Sequence, residues 1–213
     1  MPTYAKPTER ARARYDRIAW MYDWAELLVE RLVFRGWRRK LWEQMPKGRG
    51  LEVGVGTGKN IPFYRPYHTV TAVDLSPKML ERAKSRKRRL GADAQLEVMD
   101  AQHLDYPDDS FDWAVATFVF CSVPDPIVGL QELGRVVKPQ GSIYLLEHVR
   151  INRPLIGPFM DLVNPLALRL TGANINRNTL RNVEKAGLVV EWVENMAILG
   201  LAKLIIARPG LGP

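Results

Sequence analysis

Residues 51–58, with the sequence LEVGVGTG, decide the fold of this chain. Apolar residues lead into three glycines, which let a strand end in a tight turn whose backbone approaches a ligand closely. The glycines are Gly54, Gly56 and Gly58. Their spacing does not fit the dinucleotide-binding motif, because Lys59 stands where that motif has its third glycine. It does not fit a P-loop either, since Lys59 is followed by Asn60 rather than by serine or threonine.

Outward from this loop, short apolar strands alternate with helical stretches, a pattern that predicts parallel βαβ units. The predicted strands cover residues 50–55, 69–74, 94–99, 111–117 and 142–147. The predicted helices cover residues 60–64, 76–90, 126–137 and 179–186. Two further β-rich segments, 188–193 and 197–207, close the chain. The link between them is too short for a parallel crossover, so we expect antiparallel neighbours.

Two acidic residues stand at the ends of predicted strands. Asp74 ends the second strand, where a carboxylate can accept hydrogen bonds from both hydroxyls of a ribose. Asp100 ends the third strand and, with the backbone N–H of Ala101, can bind the amino edge of adenine. A glycine loop with these two acids predicts a nucleoside ligand without a phosphate tail, and S-adenosylmethionine is such a ligand.

Four longer motifs resemble those of the class I S-adenosylmethionine-dependent methyltransferases. They are EVGVGTG (52–58), VDLSPKML (73–80), DAQHLDYPDDSFD (100–112) and LQELGRVVKPQGS (130–142). The resemblance covers residues 15–208. It implies an α/β fold with a Rossmann-like, doubly wound sheet of seven strands in the order 3-2-1-4-5-7-6, with the last strand antiparallel. Within the superfamily, YDRIAWMYD (15–23) is similar to quinone C-methyltransferases and phospholipid N-methyltransferases, whereas FVFCSVP (118–124) and LEHV (146–149) are similar to membrane-associated thiol methyltransferases.

The resemblance also implies which residues bind the cofactor, S-adenosylmethionine, and its product S-adenosylhomocysteine. These are Tyr15, Glu52, Gly54, Gly56, Gly58, Asp74, Leu75, Met79, Asp100, Ala101, Thr117 and Phe118. Glu52 and the glycines match the loop that holds the methionine and ribose portions. Leu75 and Met79 match positions that flank the adenine, and Thr117 and Phe118 match positions that face the sulfonium.

Two residues are catalytic candidates. Tyr22, like Tyr15, matches tyrosines that close over cofactor and acceptor, although either ring can equally serve helix packing. His148 ends the fifth strand and can orient an acceptor or take its proton, but a structural histidine at a strand end is an equally simple interpretation. The histidines have no metal-ligand spacing, and the single cysteine, Cys121, excludes an intramolecular disulfide and a cysteine-built metal site. No metal is expected.

The N-terminal part of the chain is its basic part. The whole chain has a formal net charge of +8, and residues 1–49 contain 12 Lys/Arg against 6 Asp/Glu. Residues 15–45 predict two helices, joined near Gly36, that also carry several tryptophans and tyrosines. Basic and aromatic residues together are typical of helices that bind an anionic membrane surface. The alternative is that the aromatics pack on the domain while the arginines form a solvated face.

These patterns predict a helical extension over residues 1–46, which acts as a lid with possible membrane contact, and a methyltransferase domain over residues 47–213. The composition, 46% hydrophobic and 25% charged, is that of a folded domain with a core. No apolar stretch reaches the roughly 20 residues of a membrane span, and the N-terminus has no secretory signal. We therefore expect a cytoplasmic protein, peripheral at the inner face of the membrane.

The acceptor is predicted to be lipid-like. Residues 155–170 are rich in apolar side chains and follow the fifth strand, where loops line the ligand crevice. The first choice is the amine of phosphatidylethanolamine, and the alternatives are a polyprenyl quinone precursor or a small thiol. A regulator that binds the cofactor without catalysis is a further alternative. Nucleic acid is not expected as a partner, because residues 117–124 lack the Asn/Asp-Pro-Pro-aromatic motif of base-amine methyltransferases.

Overall fold

Seven strands form one mixed sheet in the order β3-β2-β1-β4-β5-β7-β6. The strands are β1 (Gly48–Val53), β2 (His68–Asp74), β3 (Gln95–Val98), β4 (Phe111–Thr117), β5 (Val137–His148), β6 (Val189–Asn195) and β7 (Ala202–Arg208). The pairs from β3 through to β5 are parallel, whereas β7 is antiparallel to both β5 and β6. The predicted fold class, strand order and antiparallel last strand are confirmed.

The computed structural model describes residues 5–25, 27–151, 153–171, 173–197 and 200–210. Parts of three predicted segments therefore lie outside the described residues. They are residues 1–4 and 26 of the N-terminal extension, 198–199 of the last strand, and 211–213 at the end of the predicted domain.

Several of the helices begin at capping residues. The helices are α1 (Lys6–Ala25), α2 (Leu27–Val29), α3 (Arg35–Trp42), α4 (Pro77–Leu90), α5 (Pro126–Val136), α6 (Ile156–Thr171) and α7 (Thr179–Lys185), with a π-helical turn at Glu30–Phe34 and a 3-10 turn at Ile61–Phe63. The side chains of Ser76 and Asp125 accept hydrogen bonds from the first turns of α4 and α5, and a proline follows each of them. A capping side chain followed by a proline defines where a helix starts. Ser76 and Asp125 therefore set the first turns of α4 and α5.

The sheet is covered by helices on both faces, as a mostly parallel sheet requires. On one face, Leu130 and Leu133 of α5 and Val183 of α7 are fully buried against the strands. On the other, α4 and α3 contribute to one buried cluster, in which Leu41 and Trp42 of α3 are also fully buried. The N-terminal helical segment is therefore anchored in the core by its last turn.

Several predicted boundaries are wrong. Gly36 is not a joint, because it lies inside α3, where an exposed glycine costs only about 1 kcal/mol relative to alanine. The first helix instead begins at Lys6 and ends at Ala25. The last strand begins at Ala202 rather than at 197, since Gly200 has a φ of +73° and its N–H closes a turn onto the carbonyl of Ala197. Residues 155–170 fall mostly in helix α6.

Candidate active site

A cavity of about 930 Å³, counted with its open mouth, lies at the carboxyl ends of β1, β2 and β4. Ligands bind at this edge in open α/β sheets. The predicted site residues that line it are Tyr15, Tyr22, Glu52, Gly54, Gly56, Asp74, Leu75, Met79, Asp100, Ala101, Thr117 and Phe118. Gly58 and His148 are not among its lining residues, and neither is any residue of α6. The expectation that residues 155–170 line the crevice is therefore wrong for their described part.

The glycine loop owes its shape to backbone conformations that side chains rarely adopt. Gly56 and Gly58 have φ angles of +56° and +81°, in the left-handed region that favours glycine. A Cβ added to Gly58 would approach the Cα of Ala83 on α4 to 3.2 Å, so this glycine serves helix packing. A Cβ added to Gly56 would meet no atom within 4 Å. The loop backbone at Gly56 is therefore open to a ligand.

Asp74 joins the loops that follow β1 and β2. Its Oδ2 accepts a hydrogen bond of 2.8 Å from the Gly56 N–H, and its Oδ1 accepts one of 2.8 Å from the Ser76 N–H. Burial raises the pKa of Asp74 to about 6, against the lowering effect of these two bonds, and nearby Asp16 adds to the rise. The carboxylate therefore lies in the cavity wall with its charge only partly compensated by backbone donors.

Asp100, at the end of the β3 segment, holds the next loop. Its Oδ1 accepts hydrogen bonds from the backbone N–H of Gln102 at 3.0 Å and from the Gln102 side chain at 3.1 Å. The same side-chain amide donates to the Thr8 hydroxyl of α1 at 3.2 Å. The carboxylate and its neighbour Ala101 both line the cavity, so the predicted adenine-binding pair lies beside α1.

Glu52 is buried at the base of the cavity. It accepts hydrogen bonds from Tyr64 Oη and, at 2.9 Å, from Asn60 Nδ2. Burial raises the pKa of Glu52 to about 7, although both hydrogen bonds lower it. Asn60 Nδ2 also donates to the Thr117 hydroxyl at 3.0 Å. Two predicted site residues, from β1 and β4, are therefore linked through one amide.

The turn after β4 is held by an acid that the sequence analysis missed. Phe118 has a φ of +59°, an uncommon conformation for an aromatic residue. The buried Glu147 of β5 accepts hydrogen bonds from the N–H groups of Val119 and Phe120 at 2.8 and 3.0 Å. Burial raises the pKa of Glu147 to about 7. The signal for this residue was one acid within an otherwise apolar strand.

His148 lies behind Phe118. The two rings stack with centroids 4.5 Å apart and an interplanar angle of 21°. Phe34 of the π-helical turn contacts both rings, at 4.8 and 5.8 Å. Phe118 lines the cavity and His148 does not. In this arrangement His148 packs against the Phe118 ring and supports it.

Helix α1 covers the cavity and contacts the loop after each of the first four strands. Tyr15 Oη and Ser122 Oγ share a hydrogen bond of 2.5 Å, and burial raises the pKa of Tyr15, so the phenol stays neutral. Asp16 accepts a hydrogen bond of 2.6 Å from the Ser76 hydroxyl, and Asp23 accepts one of 2.6 Å from Thr57. With the contact between Thr8 and Gln102, these bonds close α1 over the site.

Two cations also belong to the cavity wall, the buried Arg38 and the partly buried Lys59. Arg38 and Lys59 line it together with Tyr22, whose ring centroid is 4.8 Å from Lys59 Nζ. The sequence analysis assigned the basic N-terminal residues to the surface and gave no signal for an inward-facing arginine among them.

Comparison with known proteins identifies the family. Residues 51–145 match the family described as "Methyltransferase domain". A phosphatidylethanolamine N-methyltransferase of Cereibacter sphaeroides is 41% identical over 122 residues, which is 56% of this chain but only 59% of that protein's length. A ubiquinone/menaquinone biosynthesis C-methyltransferase of Bdellovibrio bacteriovorus is 30% identical over 163 residues, covering 74% of this chain and 69% of that protein. The chain belongs to the class I S-adenosylmethionine-dependent methyltransferases.

Two further proteins are similar to this chain. A thiol S-methyltransferase of Rattus norvegicus is 32% identical to this methyltransferase over 172 residues, covering 73% of the chain and 70% of that protein. The crystal structure of geranyl diphosphate C-methyltransferase from Streptomyces coelicolor, in complex with Mg²⁺, geranyl diphosphate and S-adenosyl-L-homocysteine, superimposes with a TM-score of 0.75 at 13% identity. It covers 98% of this chain and 100% of that structure. At such low identity the superposition supports the fold alone.

The described part of this methyltransferase contains no cluster of three His, Cys, Asp or Glu side chains that could hold a metal ion. Cys121 is buried behind the β4 turn, and burial raises the pKa of its thiol to about 12.

Proposed function

We propose that this methyltransferase transfers the methyl group of S-adenosylmethionine to the amine of phosphatidylethanolamine at a membrane surface. The observation that carries the proposal is a set of exposed apolar side chains, Trp20, Trp24, Leu28 and Leu32, which recur every four residues along the N-terminal helices and which we call the exposed apolar cluster. The two tryptophans are 71% and 79% exposed, while Tyr22 between them lines the cavity. A large exposed apolar patch marks a partner or a lipid surface. The relative from Cereibacter sphaeroides that is named for this reaction supports the same acceptor.

The residues of the cavity fit the cofactor. Gly56 leaves open space where a side chain would stand, so a ligand can approach the loop backbone. We infer that Asp74 accepts hydrogen bonds from the ribose hydroxyls and that Asp100, with the N–H of Ala101, binds the adenine. Glu52 is the candidate partner for the methionine portion. The apolar side chains of Leu75 and Met79 would flank the base, and Tyr15 would close over it.

When bound, the cofactor supplies an electrophilic methyl group on its sulfonium. The protein has to orient the acceptor and exclude water, and proximity and orientation can contribute roughly 7–11 kcal/mol. We propose that Thr117 and Phe118 shape the wall beside the sulfonium and that α1 closes the site through Tyr15. The acceptor amine must be neutral when it attacks, and Tyr22 is the candidate that positions it. Because His148 stacks on Phe118 and does not line the cavity, we assign His148 a supporting role instead of proton transfer.

Other acceptors remain alternatives within the same cavity. The Bdellovibrio bacteriovorus relative supports C-methylation of a polyprenyl quinone precursor, and the Rattus norvegicus relative supports S-methylation of a small thiol. Both acceptors need deprotonation to an anion before attack. A cofactor-binding regulator without turnover is the non-enzymatic alternative; the set Glu52, Asp74 and Asp100 supports cofactor binding in both cases, and the transfer of label in the assay below separates them.

We also propose that the exposed apolar cluster binds an anionic lipid surface. Exposed arginines lie in the same segments, namely Arg17, Arg31, Arg35 and Arg39. Apolar side chains with neighbouring cations are what interfacial helices use to bind anionic lipids. No helix of the described residues is long and apolar enough to cross a membrane. Residues 1–46 would accordingly act as a lid with membrane contact on a methyltransferase domain of residues 47–213.

The test is transfer of a labelled methyl group from S-adenosylmethionine into a total lipid extract, with and without anionic liposomes, followed by separation of the lipids. We expect label in bands derived from phosphatidylethanolamine. Label in the neutral quinone fraction would favour the first alternative, and label in neither fraction would contradict a lipid acceptor.

Two variants control this assay. Asp74→Asn should remove most of the incorporation, because it removes a carboxylate from the cavity wall. Asp93→Asn is the matched control, since Asp93 is an exposed acid in the loop between α4 and β3 and its loss should leave the incorporation unchanged. Equal labelling by both variants would show that the methyl transfer does not depend on this cavity.

A further inference from the structure

Gln102 contacts the acid that we assign to the adenine. It follows Ala101 directly in the chain, but it is not itself among the residues that line the cavity. Its side-chain nitrogen lies 3.1 Å from each oxygen of the Asp100 carboxylate, and its backbone N–H donates to Oδ1 of the same group at 3.0 Å. One residue outside the cavity therefore donates to both oxygens of a carboxylate inside it.

The orientation of the Gln102 amide is fixed by partners that can act in only one way. Its Oε1 accepts a hydrogen bond of 2.9 Å from the backbone N–H of Asp125, the capping residue of α5. A backbone N–H can only donate, and an ionised carboxylate can only accept. The amide oxygen must therefore face Asp125, and the amide nitrogen must face Asp100.

Helix α1 contacts the same amide nitrogen. The Thr8 hydroxyl accepts a hydrogen bond of 3.2 Å from it, and Thr8 is only 3% exposed. Gln102 thus joins the loop after β3 both to α1 and to the start of α5. Side chains of a binding site keep their productive geometry when residues outside the site hold them by hydrogen bonds. The direction of the Asp100 carboxylate therefore depends on this amide.

The Asp100 carboxylate also keeps acceptor capacity for a ligand. In the contacts of the described residues, Oδ1 accepts two hydrogen bonds from Gln102 and Oδ2 accepts one, whereas an ionised carboxylate has about four acceptor positions. Since Asp100 lines the cavity, a remaining position can accept a hydrogen bond from the 6-amino group of adenine. A carboxylate that loses its donors can turn, which would weaken this bond.

We propose that Gln102 is a positioning residue for adenine recognition, which directs the Asp100 carboxylate towards the 6-amino group and is itself held by Thr8. This role rests on the assignment of Asp100 to the adenine in the proposed function. Because Thr8 belongs to the helix that covers the cavity, the adenine contact is strongest when α1 is closed. A purely structural role in the loop would need only the bond from Asp125, whereas a positioning role needs the donation to Asp100.

Two ligands isolate the contact with the 6-amino group. They are S-adenosylhomocysteine and its purine analogue, in which a hydrogen atom replaces that amino group. We expect the wild type to bind S-adenosylhomocysteine roughly tenfold or more tightly than the analogue, because the analogue lacks one hydrogen bond to a charged group. Calorimetry gives both dissociation constants, and thermal melting shows whether each variant is folded.

Three variants separate the positioning role from the structural one. Gln102→Met keeps the length of the side chain but removes its amide, so the preference for S-adenosylhomocysteine should fall to about threefold or less. Gln102→Glu keeps an acceptor for the Asp125 N–H but cannot donate to Asp100, so it should lose the preference as well. The matched control is Gln131→Met, at an exposed residue of α5, which should keep the preference of the wild type.

Thr8→Val tests the link to α1. We expect an intermediate preference, and no further loss when Thr8→Val is added to Gln102→Met, because Thr8 acts through the amide. Wild-type preference in Gln102→Glu, or an equal loss of affinity for both ligands in a folded Gln102→Met, would leave Gln102 a structural role only and overturn the proposal. A wild type that binds both ligands equally would contradict the assignment of Asp100 to the adenine, and the positioning role with it.

Discussion

Asp74 places a carboxylate in the cavity wall where burial opposes its charge. Because burial raises its pKa to about 6, a large fraction of free protein carries a protonated Asp74 at pH 5.5. Ribose hydroxyls donate to the ionised form, so binding should lower the pKa and release a proton. We therefore expect the affinity for S-adenosylhomocysteine to rise between pH 5 and pH 7 and to level off above. Calorimetry in buffers of different ionisation enthalpy measures both the affinity and the proton release.

Asp74→Asn gives the corresponding control. The variant should bind S-adenosylhomocysteine roughly tenfold or more weakly, since a hydrogen bond to a charged group contributes about 1.5–3 kcal/mol. The affinity of the variant for S-adenosylhomocysteine should also rise much less than that of the wild type between pH 5 and pH 7. A variant with the wild-type pH profile would exclude Asp74 as the titrating group.

The raised pKa of Glu147 leads to a separate prediction, which concerns the stability of the fold. Its pKa is about 7 in the folded protein because of burial, above the value near 4.3 of an exposed glutamate. The native state therefore binds more protons than the unfolded state between these values, and the contribution of Glu147 to the free energy of unfolding falls as pH rises through this window. Glu147→Gln removes the titration but keeps an acceptor for the N–H groups of Val119 and Phe120.

Urea unfolding at pH 5 and pH 8 tests whether the contribution of Glu147 to the free energy of unfolding falls as the pH rises. The free energy of unfolding of the wild type, minus that of Glu147→Gln, should be larger at pH 5 by on the order of 2–3 kcal/mol. Glu81→Gln, at an exposed acid of α4, should show no such difference between the two pH values. A wild-type advantage that grows with pH would contradict the raised pKa.

At the scale of elements, helix α1 lies over the cavity, so we expect it to move when the site opens. Asp23 accepts a hydrogen bond from Thr57 and forms ion pairs with Arg86 at 2.9 Å and with Arg82 at 3.6 Å. These contacts attach the end of α1 to the glycine loop and to α4. Loss of one or two partly buried polar contacts costs about 0.5–3 kcal/mol, so α1 should detach more readily when Asp23 is neutralised.

Asp23→Asn should therefore release bound S-adenosylhomocysteine about three- to tenfold faster, as measured by stopped-flow fluorescence with excess S-adenosylmethionine as the competitor. Glu9→Gln is the matched variant on the same helix, because Glu9 is exposed, and its release rate should equal that of the wild type. Equal release by Asp23→Asn would mean that α1 does not control cofactor exit.

The sequence predicted the sheet better than the helices around it, for physical reasons. Buried strands between glycine and proline turns are local patterns, and the short link before the last strand constrained its direction. The continuity of α3 through Gly36 was missed, because an exposed glycine inside a helix resembles a helix end in the sequence. Arg38 of the cavity wall and Glu147, which holds the turn after β4, were missed because only the fold brings their side chains to these positions.

At the scale of the whole molecule, the N-terminal segment combines positive charge with exposed apolar side chains. The chain has a formal net charge of +8, and Trp24 is 79% exposed in the exposed apolar cluster. Trp192 on strand β6 is also exposed, at 55%, but lies on the edge strand away from α1. Interfacial binding combines burial of apolar side chains with attraction to anionic lipids, so the two tryptophans should respond differently to a membrane.

We expect Trp24→Ser to weaken binding to vesicles containing phosphatidylglycerol by roughly tenfold, because burial of a large apolar side chain contributes about 1.5–3 kcal/mol. Trp192→Ser should bind as the wild type does. Vesicle sedimentation at low salt and at 0.5 M salt measures both contributions, and the higher salt should weaken the binding of all three proteins, since it screens the arginines. Equal losses in the two variants would indicate that the exposed apolar cluster is not the lipid-binding surface, whereas a loss confined to Trp24→Ser would place the membrane beside the mouth of the cavity.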